Sequence, residues 1–101
     1  MIPLNKVKDL ISRHALLEKE LSSETIDKKK FAEKSKEYSD LNNIIKKAID
    51  YSNFENERME LKKIINDKNG DVEMKELAEA ELNQLMKNNE INEKKLKLFL
   101  L

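Results

Sequence analysis

The chain offers little to build chemistry from: a single histidine, no cysteine, and a few runs of carboxylate, amide or lysine. His14 is the natural candidate for a base or a metal ligand, because imidazole alone titrates near neutral pH without help from its surroundings. It has no second histidine to share a metal with, and it falls in step with Leu10, Ile11, Leu17 and Leu21 on one apolar stripe. That position predicts a half-buried structural imidazole. Asp67-Lys68-Asn69-Gly70-Asp71 sets oxygen ligands at the first, third and fifth positions of a calcium loop. The glycine required at the sixth position is Val72 and the bidentate glutamate required at the twelfth is Ala78, so the segment reads as a polar turn. Lys28-Lys29-Lys30, Lys46-Lys47, Lys62-Lys63 and Lys94-Lys95 could meet phosphate, yet acids are interleaved with them and the usual role of such runs is solvation. No glycine-rich phosphate loop exists in a chain with one glycine.

These absences bound the function. Acid–base or nucleophilic catalysis needs converging groups in a concave pocket, and nothing in the sequence supplies them; no enzyme activity, catalytic residue, cofactor or metal is expected. Equal numbers of basic and acidic residues, 20 each, argue against a dominant, sequence-independent nucleic-acid footprint. Of the basic residues 18 are Lys, and Asn occurs 11 times, which reads as coding bias and not as function. The lack of cysteine suits a reducing compartment, and no window approaches a membrane span or a secretory leader, so a cytoplasmic protein is expected.

The scaffold is read from its hydrophobic period. One glycine and one proline leave a β-sandwich or barrel without turn residues, whereas apolar residues recur at steps of three and four. Leu4, Val7, Leu10, Leu17 and Leu21 predict a helix over about 4–22, with Pro3 suited to its first turn. After Ser22-Ser23-Glu24-Thr25-Ile26, Asp27 is the expected N-cap of a second helix over 28–66, carried by Phe31, Tyr38, Leu41, Ile44, Ala48, Tyr51 and Met59. At 1.5 Å per residue that helix would run roughly 58 Å, which predicts an elongated molecule. A bend is expected near Ser52, where helix propensity is poorest. Asn69-Gly70 predicts a reversal with positive φ, and Asp71 caps a third helix over 72–98 whose face is Met74, Leu77, Ala78, Leu82, Leu85 and Leu96. Asp71 with Lys75, Glu90 with Lys94 and Glu93 with Lys97 are spaced for i,i+4 support. The predicted fold is therefore all-α, an elongated antiparallel three-helix bundle built on a coiled-coil-like hairpin, in a single domain covering 1–101. Helix one can cover only part of the hairpin, so exposed apolar surface is expected, which leaves a homodimer of the isolated domain open. The apolar end Leu98-Phe99-Leu100-Leu101 predicts a domain cut from a longer chain.

Three stretches carry a family resemblance: Leu16-Leu17-Glu18-Lys19-Glu20-Leu21, the run from Phe31 to Leu41, and Asp71-Val72-Glu73-Met74-Lys75-Glu76-Leu77-Ala78. In order and spacing the chain resembles the N-terminal helical domain of the bacterial peptide chain release factor 1 family, and Lys95 to Leu101 is similar to the segment leading into that family's later domains. The resemblance implies a translation termination factor reading UAA and UAG. Its Gly-Gly-Gln hydrolytic loop and codon-reading tripeptide lie beyond this region, so the implied role is non-catalytic docking on the ribosome, near the stalk base of the large subunit. It assigns no ribosome-contact residue. The competing expectation is a free-standing helical scaffold or coiled-coil adaptor that self-associates.

Overall fold

A computed structural model describes all residues 1–101. The chain is four helices: α1 (Leu4–Leu21), α2 (Lys28–Asn42), α3 (Ile45–Ile65) and α4 (Val72–Leu100). They pack in the order α2, α1, α3, α4, with α3 against both α1 and α4 and with α2 against α1. The molecule measures 60 × 28 × 19 Å, matching the elongation expected from the sequence.

Helix starts follow local chemistry. The Asp27 carboxylate accepts from the backbone N–H of Lys30 at 3.0 Å, and that of Asp71 accepts from Glu73 N–H at 3.2 Å, so each satisfies an orphan donor of a first turn. Pro3 precedes α1, and its carbonyl accepts from the N–H groups of Lys6 and Val7. Between α3 and α4 the turn is closed by Gly70 N–H donating to Asp67 O at 3.2 Å, while the Asp67 side chain accepts from Asn69 N–H at 3.0 Å. The positive φ expected at Asn-Gly does not occur, because a right-handed turn locked by the Asp67 side chain has no need of it. Glycine is favoured here by space: a Cβ on Gly70 would approach Lys75 Cε to 3.2 Å and Asp67 O to 3.3 Å.

The expected second helix is two. The break falls at Asn43-Ile44, not near Ser52. There the N–H groups of Asn43 and Ile44 switch to i−3 carbonyls, those of Asp40 and Leu41, at 3.3 and 3.0 Å, and Ile44 takes φ −121°, ψ −12°. Asn42-Asn43 are weak helix formers, and the chain must change direction here to leave α1's flank and lie between α1 and α4. Around Ser52 packing overrides propensity: Tyr51 is buried, Ser52 Oγ back-bonds to Ile49 O at 2.8 Å, and Arg58 pairs with Glu55 one turn on.

The core is small. Ile2, Val7, Ile44, Ala48, Tyr51 and Leu96 form one cluster, with Leu10 and Ile11 packed against it. The Tyr51 hydroxyl accepts from Ile2 N–H at 3.1 Å and lies 3.4 Å from Ile2 O, to which it can donate, fastening the segment before α1 to the second turn of α3. Beyond the reach of α1 the hairpin is bare. Met59, Met74 and Leu77, expected on buried stripes, are at least half exposed, and Phe31 is nearly so on α2. Of the spaced charge pairs only Glu93 with Lys97 closes, at 3.4 Å.

Leu96 is fully buried in this cluster, so Leu96→Ala is expected to lower unfolding free energy by about 2–5 kcal/mol. Tyr51→Phe, which strands Ile2 N–H, is expected to cost about 1–3 kcal/mol; urea titration followed by circular dichroism measures both.

Candidate functional site

No group of three or more His, Cys, Asp or Glu is arranged to hold a metal ion. What the structure offers are surfaces and the polar ties that position them. His14 is half-buried between α1 and α2, stacked on Tyr38 with centroids 4.7 Å apart and ring planes 23° apart. Its Nε2 lies 2.6 Å from Asn42 Oδ1, at the last residue of α2 before the break. The imidazole thereby ties the end of α2 to α1, with no carboxylate among its recorded partners to activate it as a base.

Next to it in sequence, Arg13 forms a two-pronged pair with Glu37, Nε and Nη2 donating to the two carboxylate oxygens at 2.7 and 2.8 Å. Lys34 pairs with Glu20 further along the same seam. Hydrogen bonding from the guanidinium, aided by its charge and opposed by partial desolvation, holds the Glu37 carboxyl below its ordinary value. These α1–α2 ties join residues 24 and 14 positions apart and leave no local signal in the sequence. At the other end, Glu93 is held low by the Met1 ammonium at 2.8 Å and by Lys97.

The lysine runs sit on different surfaces. Lys28, Lys29 and Lys30 are exposed in the first turn of α2, while Lys62 and Lys63 flank Met59 near the hairpin tip. Lys94 lies beside an open apolar depression of about 660 Å³ formed by Ile2, Pro3, Leu98 and Leu100. Asp50, Glu57, Glu60 and Glu81 line a groove between α3 and α4. Lys46 stands at the start of α3, 3.9 Å from Asp50.

Comparison with known families matches residues 10–101 to the PCRF domain. The chain belongs to the PCRF domain family. It is 60% identical over 101 residues to peptide chain release factor 1 of Pelagibacter ubique (strain HTCC1062), across 100% of this chain and 28% of that protein. To peptide chain release factor 1 of Wolbachia pipientis subsp. Culex pipiens (strain wPip) it is 37% identical over 79 residues, 77% of this chain and 22% of that one. The protein of the same description from Bartonella tribocorum (strain CIP 105476 / IBS 506) is 32% identical over 100 residues, 99% of this chain and 28% of that one. The chain spans just over a quarter of the length of the first and last of these. No solved structure matches. The likeness to the N-terminal helical region of the release factor, carried by the three stretches above, is borne out over the whole chain. None of the four helices is long and apolar enough to cross a membrane.

The Arg13–Glu37 pair gives a pH test. A carboxyl whose folded value is depressed contributes stability that is present above its unfolded value, near 4.5, and is lost as pH falls through the lower folded value. Wild type is therefore expected to exceed Glu37→Gln by a few tenths to about 1 kcal/mol at pH 7, the pair being partly exposed. Urea midpoints taken from pH 7 down to 2.5 should converge as the pH drops below the ordinary carboxylate range.

Proposed function

We propose that this chain is the ribosome-docking domain of a cytoplasmic translation termination factor, contributing binding and not hydrolysis, and that it seats on the large subunit near the stalk base. The observation that carries the reading is identity to a release factor across the full length of the chain. The shape supports it. A rod 60 Å long held by short turns spans distance while having little conformational freedom left to lose on docking. Balanced charge and scattered lysine runs support recognition of a composite surface over tracking of an RNA backbone. Peptidyl-tRNA hydrolysis belongs, on this reading, to domains outside the present chain.

A second reading is favoured by the bare hairpin tip, where Met59, Val72, Met74 and Leu77 are each at least half exposed. Such a surface suits self-association of a helical scaffold. The two readings part in one experiment. The chain is expected to pellet with isolated large ribosomal subunits and to sediment alone as a monomer across a hundredfold concentration range. A concentration-dependent dimer with no subunit binding, under conditions where a full-length release factor does pellet, rejects docking in favour of the scaffold.

A further inference from the structure

Where α4 ends beside the segment that precedes α1, an open depression of about 660 Å³ is walled by Ile2, Pro3, Leu98, Leu100 and Leu101. Ile2 also belongs to the buried cluster, so the depression opens on the edge of the core. Leu98 is 70% exposed, and Phe99, Leu100 and Leu101 are exposed with it. At about 100° per residue, Leu98, Phe99 and Leu100 spread apolar side chains over more than half of the circumference of the last turn of α4. Only α3 packs against α4, and one neighbour covers one side. A helix that is apolar on several sides is built to be buried on several sides. Three lysines, Lys6, Lys94 and Lys97, also line the depression. Lys97 shares Glu93 with the Met1 ammonium, whereas Lys6 and Lys94 have no carboxylate within salt-bridge distance. The release factor of Pelagibacter ubique matches this chain from end to end, yet the match takes in 28% of that protein. The likeness is to its N-terminal region, so the remainder of the relative follows the residue aligned with Leu101.

We infer that the polypeptide following Leu101 in the complete factor folds back onto this depression, seating apolar side chains against Ile2, Leu98 and Leu100 and setting Asp or Glu against Lys6 and Lys94. The inference rests on the reading of this chain as the first part of a termination factor, and adds where the rest of that factor grips it. The apolar contact is small, and a separate molecule using it would have to offset its full loss of translational and rotational freedom. A segment tethered to the end of α4 meets the same surface at high effective concentration. Unpaired lysines beside apolar walls favour an acidic edge on the incoming segment and reject a basic one. The depression lies at the opposite end of the hairpin from the turn between α3 and α4, so a contact here leaves the bare tip free for the ribosome.

The chain contains no cysteine, so single introduced thiols can report what covers this surface. The gene is first read past Leu101 and the complete protein made; a stop codon directly after Leu101 leaves nothing to dock and overturns the inference. Leu98→Cys and, near the distal tip, Met74→Cys are placed in the 101-residue chain and in the complete protein. Alkylation of each is followed by mass spectrometry of its own tryptic peptide, and circular dichroism checks that every variant is folded. Leu98→Cys is expected to label at least tenfold more slowly in the complete protein, while Met74→Cys labels at the same rate in both. Adding Lys6→Glu and Lys94→Glu to the complete protein should restore fast labelling of Leu98→Cys. Equal labelling of Leu98→Cys in the two proteins, or protection that survives the double charge reversal, overturns the inference. Protection already present in the 101-residue chain and rising with concentration assigns the depression to a second copy, and overturns it as well. Pelleting with large subunits separates this outcome from the docking role. If the complete protein fails to pellet while Leu98→Cys stays protected, docking fails and the intramolecular contact stands. If it pellets with Leu98→Cys unprotected, docking stands and the contact does not exist.

Discussion

A rod of helices only 28 by 19 Å in cross-section has a small interior, and the cluster where the start of α1, the first two turns of α3 and the end of α4 meet is what ties those three helices together. Within it the Tyr51 hydroxyl is tied to both backbone groups of Ile2, a link across 49 residues that also satisfies polar groups which burial would otherwise penalise. Val7, Ala48 and Leu96 close over that tie with no residual exposure. Everything distal to the cluster depends on pairwise contact between α3 and α4, and α2 depends on α1 and on the turn that leads into α3.

This division explains why the four-helix count was not legible while the fold class was. Steps of three and four, one proline at residue 3 and one glycine between α3 and α4 leave only helices to form, and the caps at Asp27 and Asp71 are local enough to be read residue by residue. The break at Asn43-Ile44 is a tertiary requirement. Apolar periodicity runs through it from Leu41 to Ile44 and Ala48 without interruption, because residues on both sides of the change in direction are buried, Leu41 at the end of α2 and Ile44 with Ala48 in the core cluster. A propensity argument looks instead to Tyr51-Ser52-Asn53, where burial of Tyr51 outweighs weak helix formers.

The polar ties show the same limit. His14 was legible as a residue on an apolar stripe, but its stacking on Tyr38 and its contact with Asn42 need α2 folded back on α1. Arg13 with Glu37, and Lys34 with Glu20, lie on helices that pair only in three dimensions, whereas the i,i+4 pairs that can be read from sequence mostly stay open. Exposed lysines and glutamates keep more rotamer freedom and hydration apart than together, so spacing alone is a poor guide to contact. Arg13 escapes this because its planar fork engages both carboxylate oxygens at once.

Net neutrality conceals how charge is arranged along the hairpin. The lysines beside Met59 and the carboxylates around Glu57 sit within two turns of one another along α3, yet they line different depressions. A mixed surface with both signs interleaved would serve solubility alone. Segregation does more, because each face then selects partners of one character and rejects the other, and a rigid rod can be oriented by two such faces at once. With the core cluster lying where α1 meets the hairpin, the distal length of α3 and α4 is left exposed to make such contacts.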